Sequence, residues 1–496
     1  MFRNPLLLVA LAVTGGIAAW GVIDNTGLAA LSATTVATLF ASRGWFIMLT
    51  VSLLLLVAIW LALSPYGRIK LGRDDEEPEF DTISWLTMLF AAGMGVGLLY
   101  YGAAEPVSHF ILIDEYVSGP EAAERARFMT NFHWGLHAWA IYGMTALVIA
   151  YFGFRKGCAN LISAPIQRVF GQRAWTLVVG WLADLSAIVA IAIGVGGSIA
   201  MGVFQVEGGV ASLFGLGPER GGWLPLAIFA LMCVAFVLPL LVDLSKGMAL
   251  LSNIAMALAV ALMLFVVIVG PTSYMMSGVV GGIGQYFWNV LPHGFATFTF
   301  FDENVEGWFQ SWTLNYMAWW LAWGPFVGVF VARISRGRTI REFVVGVMVV
   351  PTLFSMIWFG VFGSLGFYGI LRTELPILEV VETNINETIF FVLDQLPLSF
   401  LTTLVVVIAA FLFIVTSVVS AAFVLGMFST GGDPDPAVKI KVIWGILLAA
   451  LGLVMLLSGS IDAVRSIISL GAMPFVLVIH LLVAAFLRAL VKEPVR

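Results

Sequence analysis

The chain has 496 residues, 61% of them hydrophobic and only 11% charged, with a mean hydropathy of +1.02. That composition excludes a soluble globular protein and predicts an all-α integral membrane protein. Barrel strands are excluded because the apolar runs are long and continuous rather than alternating, and the net charge of −5, spread over loops, implies no nucleic-acid partner.

Runs of about 20 apolar residues place twelve transmembrane helices, over 6–23, 45–64, 83–104, 131–153, 174–205, 223–242, 248–270, 312–332, 343–368, 398–426, 442–459 and 467–488. The first follows Arg3 and has the look of a signal peptide. A second long apolar run comes at once, so a retained span is expected. Cys158 and Cys233 lie in or beside apolar segments, give no disulfide framework and read as small buried hydrophobes. The run Asp74-Asp75-Glu76-Glu77 reads as a solvated loop. Residues 271–311 are too polar and Gly-rich to cross, yet carry Tyr286, Phe287, Trp288, Phe298, Phe300 and Phe301; an amphipathic stretch on the outer face is expected.

Basic residues set the orientation. With both termini and every second loop inside, the outer side keeps only Arg43, Arg125, Arg127, Arg220, Arg372 and Arg465, and the other 18 of the 24 lysines and arginines lie inside. Both termini are therefore expected in the cytoplasm, in a multi-pass protein of the plasma (inner) membrane. The basic run from Arg333 to Arg341 is a positive-inside anchor, and the tail after the last span is too short for a soluble regulatory domain.

Four segments carry chemistry. The third span contains Gly93-Met94-Gly95-Val96-Gly97, then Tyr100-Tyr101-Gly-Ala-Ala-Glu105-Pro106. Each glycine weakens a helix by roughly 1 kcal/mol relative to alanine. Two readings stand: close helix packing through small residues, or a deliberate break whose freed carbonyls bind a cation and whose bare backbone meets a ligand. The fourth span carries Phe132-His133-Trp134-Gly-Leu-His137-Ala-Trp139-Ala-Ile-Tyr142. Its Trp134, Trp139 and Tyr142 cover roughly a 140° arc and read equally as an interface belt or a binding face. His133 and His137 form an i,i+4 pair that could in principle bind a metal or haem. No Cys, His or carboxylate cluster elsewhere in the spans completes it, so capping or packing is the expected role.

The eighth span reads Trp312-Thr-Leu-Asn-Tyr-Met-Ala-Trp-Trp-Leu-Ala-Trp-Gly-Pro-Phe. Trp312, Tyr316, Trp319, Trp320 and Trp323 fall within roughly a 100° arc of one helix face. A membrane-buried aromatic face suits quaternary ammonium groups, which donate no hydrogen bonds and are held by cation–π attraction. In the tenth span, Phe413-Ile-Val-Thr416-Ser417-Val-Val-Ser420, the hydroxyls ordinarily bond back to the preceding turn. Adjacent Thr and Ser also offer two hard oxygens to a small cation.

These motifs, in this order, resemble the betaine/choline/carnitine transporter family from Asn4-Pro5 to the twelfth span. The most specific piece is the Trp312–Phe326 run with the following Ala-Arg-Ile-Ser-Arg-Gly-Arg-Thr-Ile-Arg-Glu-Phe. The resemblance implies a LeuT-like core of two inverted five-helix repeats preceded by two extra helices. The chain then divides into 1–82, a first repeat 83–270, the segment 271–311, a second repeat 312–488 and a tail 489–496. It also implies a homotrimer with 271–311 in the contact. The function implied is sodium-coupled import of a methylated onium osmolyte such as glycine betaine by alternating access, with no enzymatic activity and no organic cofactor. An aromatic box of Trp134, Trp139, Tyr142 and Trp320 would grip the trimethylammonium head, Trp319 and Trp323 would line the pathway, and the backbone at Gly93, Gly95 and Gly97 would meet the rest of the solute. Sodium would be coordinated by carbonyls of Ala91, Met94 and Phe413 and hydroxyls of Thr416 and Ser417.

Some residues depart from the family pattern. Ile191 and Val195 stand where some relatives have sodium-binding threonines, which leaves one sodium site. Gly97 stands where choline-specific members are acidic, which favours a zwitterion. Asn315 and Met317 are unusual, and a long basic C-terminal extension is not seen. The alternatives are a sodium-independent onium exchanger of the carnitine type, an importer of dimethylsulfoniopropionate, trimethylamine N-oxide or choline, a redox protein using His133 and His137, and a sensor with a dead transport site.

Overall fold

The structure, a computed structural model, describes residues 4–93, 95–217, 222–242 and 245–494. Two helices open the chain, α1 (Pro5–Ile23) and α2 (Asn25–Leu63). Asn4 caps the first by accepting from the Leu6 N–H at 3.0 Å, with Pro5 at the first helical position. The second span expected at 45–64 is the end of a 39-residue helix. At 1.5 Å per residue it is about 58 Å long, more than a bilayer needs. Its first half is less apolar, and its hydroxyls turn back onto the helix, Thr38 to the Thr34 carbonyl at 2.8 Å and Ser42 to that of Thr38 at 2.7 Å.

The third span is interrupted. It consists of α3 (Thr82–Gly93), α4 (Val96–Tyr101) and α5 (Ala104–Asp114), with Gly95 extended between the first two. The fourth is interrupted too, between α6 (Gly119–Trp134) and α7 (Leu136–Ala150). A short α8 (Ser163–Phe170) leads to α9 (Ala174–Phe214), the 41-residue centre of the molecule, buried along most of its length. Then come α10 (Trp223–Val242), α11 (Ser245–Val269) and α12 (Thr272–His293). The amphipathic stretch expected within 271–311 is α12, one side on α6 and α15, the other exposing Phe287 and Trp288.

The aromatic run belongs to a helix that starts earlier than Trp312. It begins at α13 (Glu303–Trp308), passes a π turn at Phe309–Leu314 and continues as α14 (Asn315–Ile334). Next are α15 (Ile340–Arg372), opened by a Thr339–Glu342 capping box, and the short α16 (Ile377–Asn384) and α17 (Thr388–Asp394). The chain closes with α18 (Ser399–Ser429), α19 (Val438–Leu457) and α20 (Ile461–Leu490). Around α9 pack α14, α18, α19 and α20, while α14 also lies along α7. Eleven helices among the described residues are long and apolar enough to cross a membrane. The third expected span is not among them because its pieces are only 12 and 6 residues long before α5.

The face bearing most basic residues is tied by ion pairs. Glu76, expected in a solvated loop, is instead held 2.6 Å from Arg336, Asp74 lies 2.8 Å from Arg155, and Glu77 lies 3.3 Å from Lys70. Arg338 stacks on Trp85 at 4.1 Å, and Lys70 bridges to Thr339 through the backbone. Asp74, Asp75 and Glu77 keep side chains 78–85% exposed, as a solvated loop would, and Glu76 alone of the run ties the 64–81 loop to Arg336. Cys158 and Cys233 are free and half-buried.

Candidate functional site

Two breaks in the backbone create the site. At Gly135 an added Cβ would lie 2.1 Å from the Tyr286 hydroxyl and 2.5 Å from the Asn131 carbonyl, so only glycine fits. The Tyr286 hydroxyl accepts from the Leu136 N–H at 2.7 Å, capping the new helix start from α12. With α6 ended at Trp134, the His133 carbonyl has lost its partner in the next turn. It accepts the Trp320 indole N–H instead, at 2.8 Å. The second break lies between Gly93 and Val96. Gly97, the first turn beyond it, sits against the Trp134 ring, where a Cβ would come within 2.6 Å.

Between these breaks lies a half-enclosed cavity of about 70 Å³, room for a compact solute of a few heavy atoms. Its walls are aromatic: Trp134 and Tyr142 from one side, Tyr316, Trp319, Trp320 and Trp323 from another, with Tyr101 over them. Trp320 meets Trp134 and Tyr142 edge-on, at 5.1 Å and 81° and at 5.4 Å and 86°. Ring faces set at right angles are the geometry by which several quadrupoles converge on one cation. Gly95 and Gly97 of the break line the same cavity, and so does Ser417 of α18.

Most expected site residues are brought together, with three qualifications. Trp139 does not line the cavity; it is buried behind Tyr142, ring against ring at 5.7 Å and 86°. Ala91 and Gly93 lie in the last turn of α3, and Met94 falls outside the described residues. The Thr416 hydroxyl donates back to the carbonyls of Leu412 at 2.9 Å and Phe413 at 3.1 Å, the ordinary habit of a helical threonine.

The expected His133–His137 pair is dissolved by the break at Gly135. His137 turns away, its Nε2 lying 3.3 Å from the Ser52 hydroxyl. His133 turns to Glu105, a fully buried carboxylate and the hub of the site. Glu105 Oε1 accepts from His133 Nδ1 at 2.8 Å and His109 Nε2 at 3.2 Å. Glu105 Oε2 accepts from the Trp134 indole at 2.8 Å and from the Tyr316 hydroxyl. Four donors saturate both oxygens, which is what a buried carboxylate requires to stay charged.

Glu105, His109 and His133 thus bring together the side-chain types of a metal site, contrary to the expectation of no such cluster in the spans. Every imidazole nitrogen is nevertheless committed: His109 Nδ1 accepts from the Trp308 indole at 3.1 Å, and His133 Nε2 lies 2.9 Å from the Thr313 hydroxyl. The cluster works as a hydrogen-bonding scaffold that orients Trp134 and Tyr316. The sequence signal was a lone glutamate in an apolar segment, a functional marker in any membrane helix.

The chain as a whole is similar to known proteins. Residues 5–495 match the family described as betaine/carnitine/choline family transporter. The chain belongs to that family. It is a transporter, not an enzyme. Among similar proteins is the glycine betaine transporter OpuD of Bacillus subtilis, 40% identical over 99% of this chain and 95% of that protein. The ectoine/hydroxyectoine transporter of Virgibacillus pantothenticus is 35% identical over 90% of this chain and 89% of its own length. The osmo-independent choline transporter BetT1 of Acinetobacter baylyi is 35% identical over 91% and 86%.

Proposed function

We propose that this transporter imports a methylated onium osmolyte, glycine betaine foremost, by sodium-coupled alternating access. The observation that carries the reading is the cavity of crossed aromatic rings at a broken helix. The rings of Trp134, Tyr142, Tyr316 and Trp320 take the cationic head, and the Glu105 charge behind Trp134 and Tyr316 adds a favourable field. The buried indole N–H of Trp323 has no partner and supplies a donor for a carboxylate. At Gly97 an acidic side chain would collide with Trp134, which favours a zwitterion over choline.

Sodium would sit between the interrupted α3–α4 backbone and α18, held by the Thr416 and Ser417 hydroxyls with carbonyls of the break. Hard oxygens are the donor set such an ion takes, and Ser417 shares the cavity with the break. There the ion ties α4 to α18 and favours the solute-binding state. The same proposal counts the broken third span with the eleven candidate spans to make twelve in a LeuT-like pair of repeats. It places the basic face in the cytoplasm and the protein in the inner membrane. It also assembles three copies through α12 and the loop after it, where Trp288 is 84% and Phe300 99% exposed.

Uptake of radiolabelled glycine betaine into proteoliposomes, with an inward sodium gradient and with potassium in its place, tests this. Sodium-dependent accumulation is expected. Uptake that ignores sodium and requires an onium solute inside would replace the symporter with an exchanger.

A further inference from the structure

One charged side chain above the cavity has no part in the mechanism so far. Arg465 lies in the second turn of α20 and is only 7% exposed. Its guanidinium carbon lies over Trp312, 4.2 Å from the ring centre, and 5.6 Å from that of Tyr101. Its Nη2 donates to the Tyr101 hydroxyl at 3.0 Å. The nearest carboxylate, Asp462, stands 3.5 Å away with its side chain 86% exposed, so it neutralises the charge weakly.

Beneath Arg465 runs an aromatic column. Trp312 stacks on Tyr316 at 6.1 Å and 22°, and Tyr316 on Trp320 at 6.3 Å and 26°. The three are spaced four residues apart and so share one helix face. Tyr101 closes the other side, edge-on to Trp312 at 6.1 Å and to Tyr316 at 5.9 Å. Tyr101, Tyr316 and Trp320 line the cavity, so Arg465 stands one ring away from it, at the start of α20 and away from the end where Glu493 meets Arg155. One turn further along α20, Ser469 bonds Asn315 at 2.5 Å and fixes the two helices in this register.

We infer that Arg465 is a specificity-determining residue at the mouth, which admits onium solutes that carry a carboxylate and disfavours those that are simple cations. The inference rests on the onium reading above. A guanidinium already covers the aromatic face that an arriving cation would use, and it repels a second positive charge. A solute with a carboxylate meets a fork of N–H donors suited to that group. Its carboxylate can take the place of the Tyr101 hydroxyl on Nη2, which frees Tyr101 to swing from the mouth while the cationic head enters the column. Arg465 therefore reads the carboxylate on entry, before that group reaches the Trp323 indole N–H inside the cavity.

Glycine betaine and choline share the trimethylammonium head and differ in the carboxylate, which makes them the matched pair of probes. Radiolabelled glycine betaine uptake, and its inhibition by unlabelled choline, are measured in proteoliposomes for wild type, Arg465→Gln and Arg465→Lys. Arg465→Gln is expected to raise the half-saturating glycine betaine concentration about tenfold, the worth of a charged hydrogen bond, while choline inhibits as well as or better than before. Arg465→Lys keeps the charge but loses the fork and the stack, so betaine weakens by less and choline inhibition is unchanged. The ratio of the two probes is the readout in either variant, so a Gln variant that fails to fold leaves the Lys variant to decide. A ratio equal to wild type, or both solutes weakened alike, would overturn the inference. A wild type that neither takes up glycine betaine nor is inhibited by choline would overturn the onium reading itself, before any variant is compared.

Discussion

The two ends of the molecule use charge in opposite ways. At the aromatic end a single carboxylate, Glu105, is buried without solvent contact and accepts from four donors. At the basic end charges are many and mostly exposed: Arg333 lies 2.5 Å from Glu79, with side chains 59% and 40% exposed. A buried, fully bonded charge has one acceptable arrangement, and losing a partner is costly. An exposed pair is worth a fraction of a kcal/mol and can separate cheaply. The first suits a site that must hold its shape, and the second suits contacts that can rearrange at little cost.

Glu105→Gln should break this contrast most severely. An amide cannot accept from four donors, so Trp134 and Tyr316 lose their anchor. A loss of about 3 kcal/mol or more is expected, read as at least hundredfold weaker glycine betaine uptake and a lower melting temperature. Trp320→Leu should follow, cutting uptake at least tenfold by the loss of cation–π contacts. Trp288→Leu on the exposed side of α12 should stay close to wild type, and equal effects would reduce Trp320 to a packing residue. Gly97→Ala forces a methyl group against Trp134 and should raise KM several-fold at little cost in expression, since overpacking costs about 1–3 kcal/mol. Thr416→Ala should reduce the sodium dependence of uptake more than the maximal rate.

The basic face yields the smallest effects. Glu493 is 6% exposed and meets Arg155 at 3.0 Å, with Lys156 and Tyr151 beside it. Burial pushes its carboxyl up, but the hydrogen bonds from Arg155, Lys156 and Tyr151 prevail and hold it down to about 2 from an ordinary 4.5. A depressed carboxyl stabilises the fold above its unfolded value and loses that contribution as pH falls through the folded one. Thermal unfolding between pH 4.5 and 2 should therefore be less pH-dependent in Glu493→Gln than in wild type. An identical profile would show that this cluster adds no stability.

Much of the site was legible because membrane helices concentrate information by period. Tryptophans at 312, 319, 320 and 323 announce a face, whereas three alternate glycines left packing and a break both open until the extended Gly95 decided for the break. Period tells which face a residue shares, but not how deep it lies: Trp139 shares a face with Tyr142, yet its ring stands behind Tyr142. Apolar length finds a span, but it does not show where a helix continues beyond it, so residues 25–44 were missed as part of α2. A single glycine between two aromatic segments gave little warning of the break at Gly135, because its cause is Tyr286, 151 residues later. Glu105 was visible as a lone carboxylate. Its partners His133, Trp134 and Tyr316 come from two other segments, and only the fold joins them.

The central claim is that the crossed rings grip a positive charge, not merely a bulky head. The direct test is equilibrium binding of radiolabelled glycine betaine to the purified transporter, with 3,3-dimethylbutanoate as competitor. That molecule has the same shape and carboxylate, with carbon in place of the charged nitrogen. Cation–π contacts with several rings predict that it competes at least tenfold more weakly than unlabelled glycine betaine. Equal competition by the two would contradict the account.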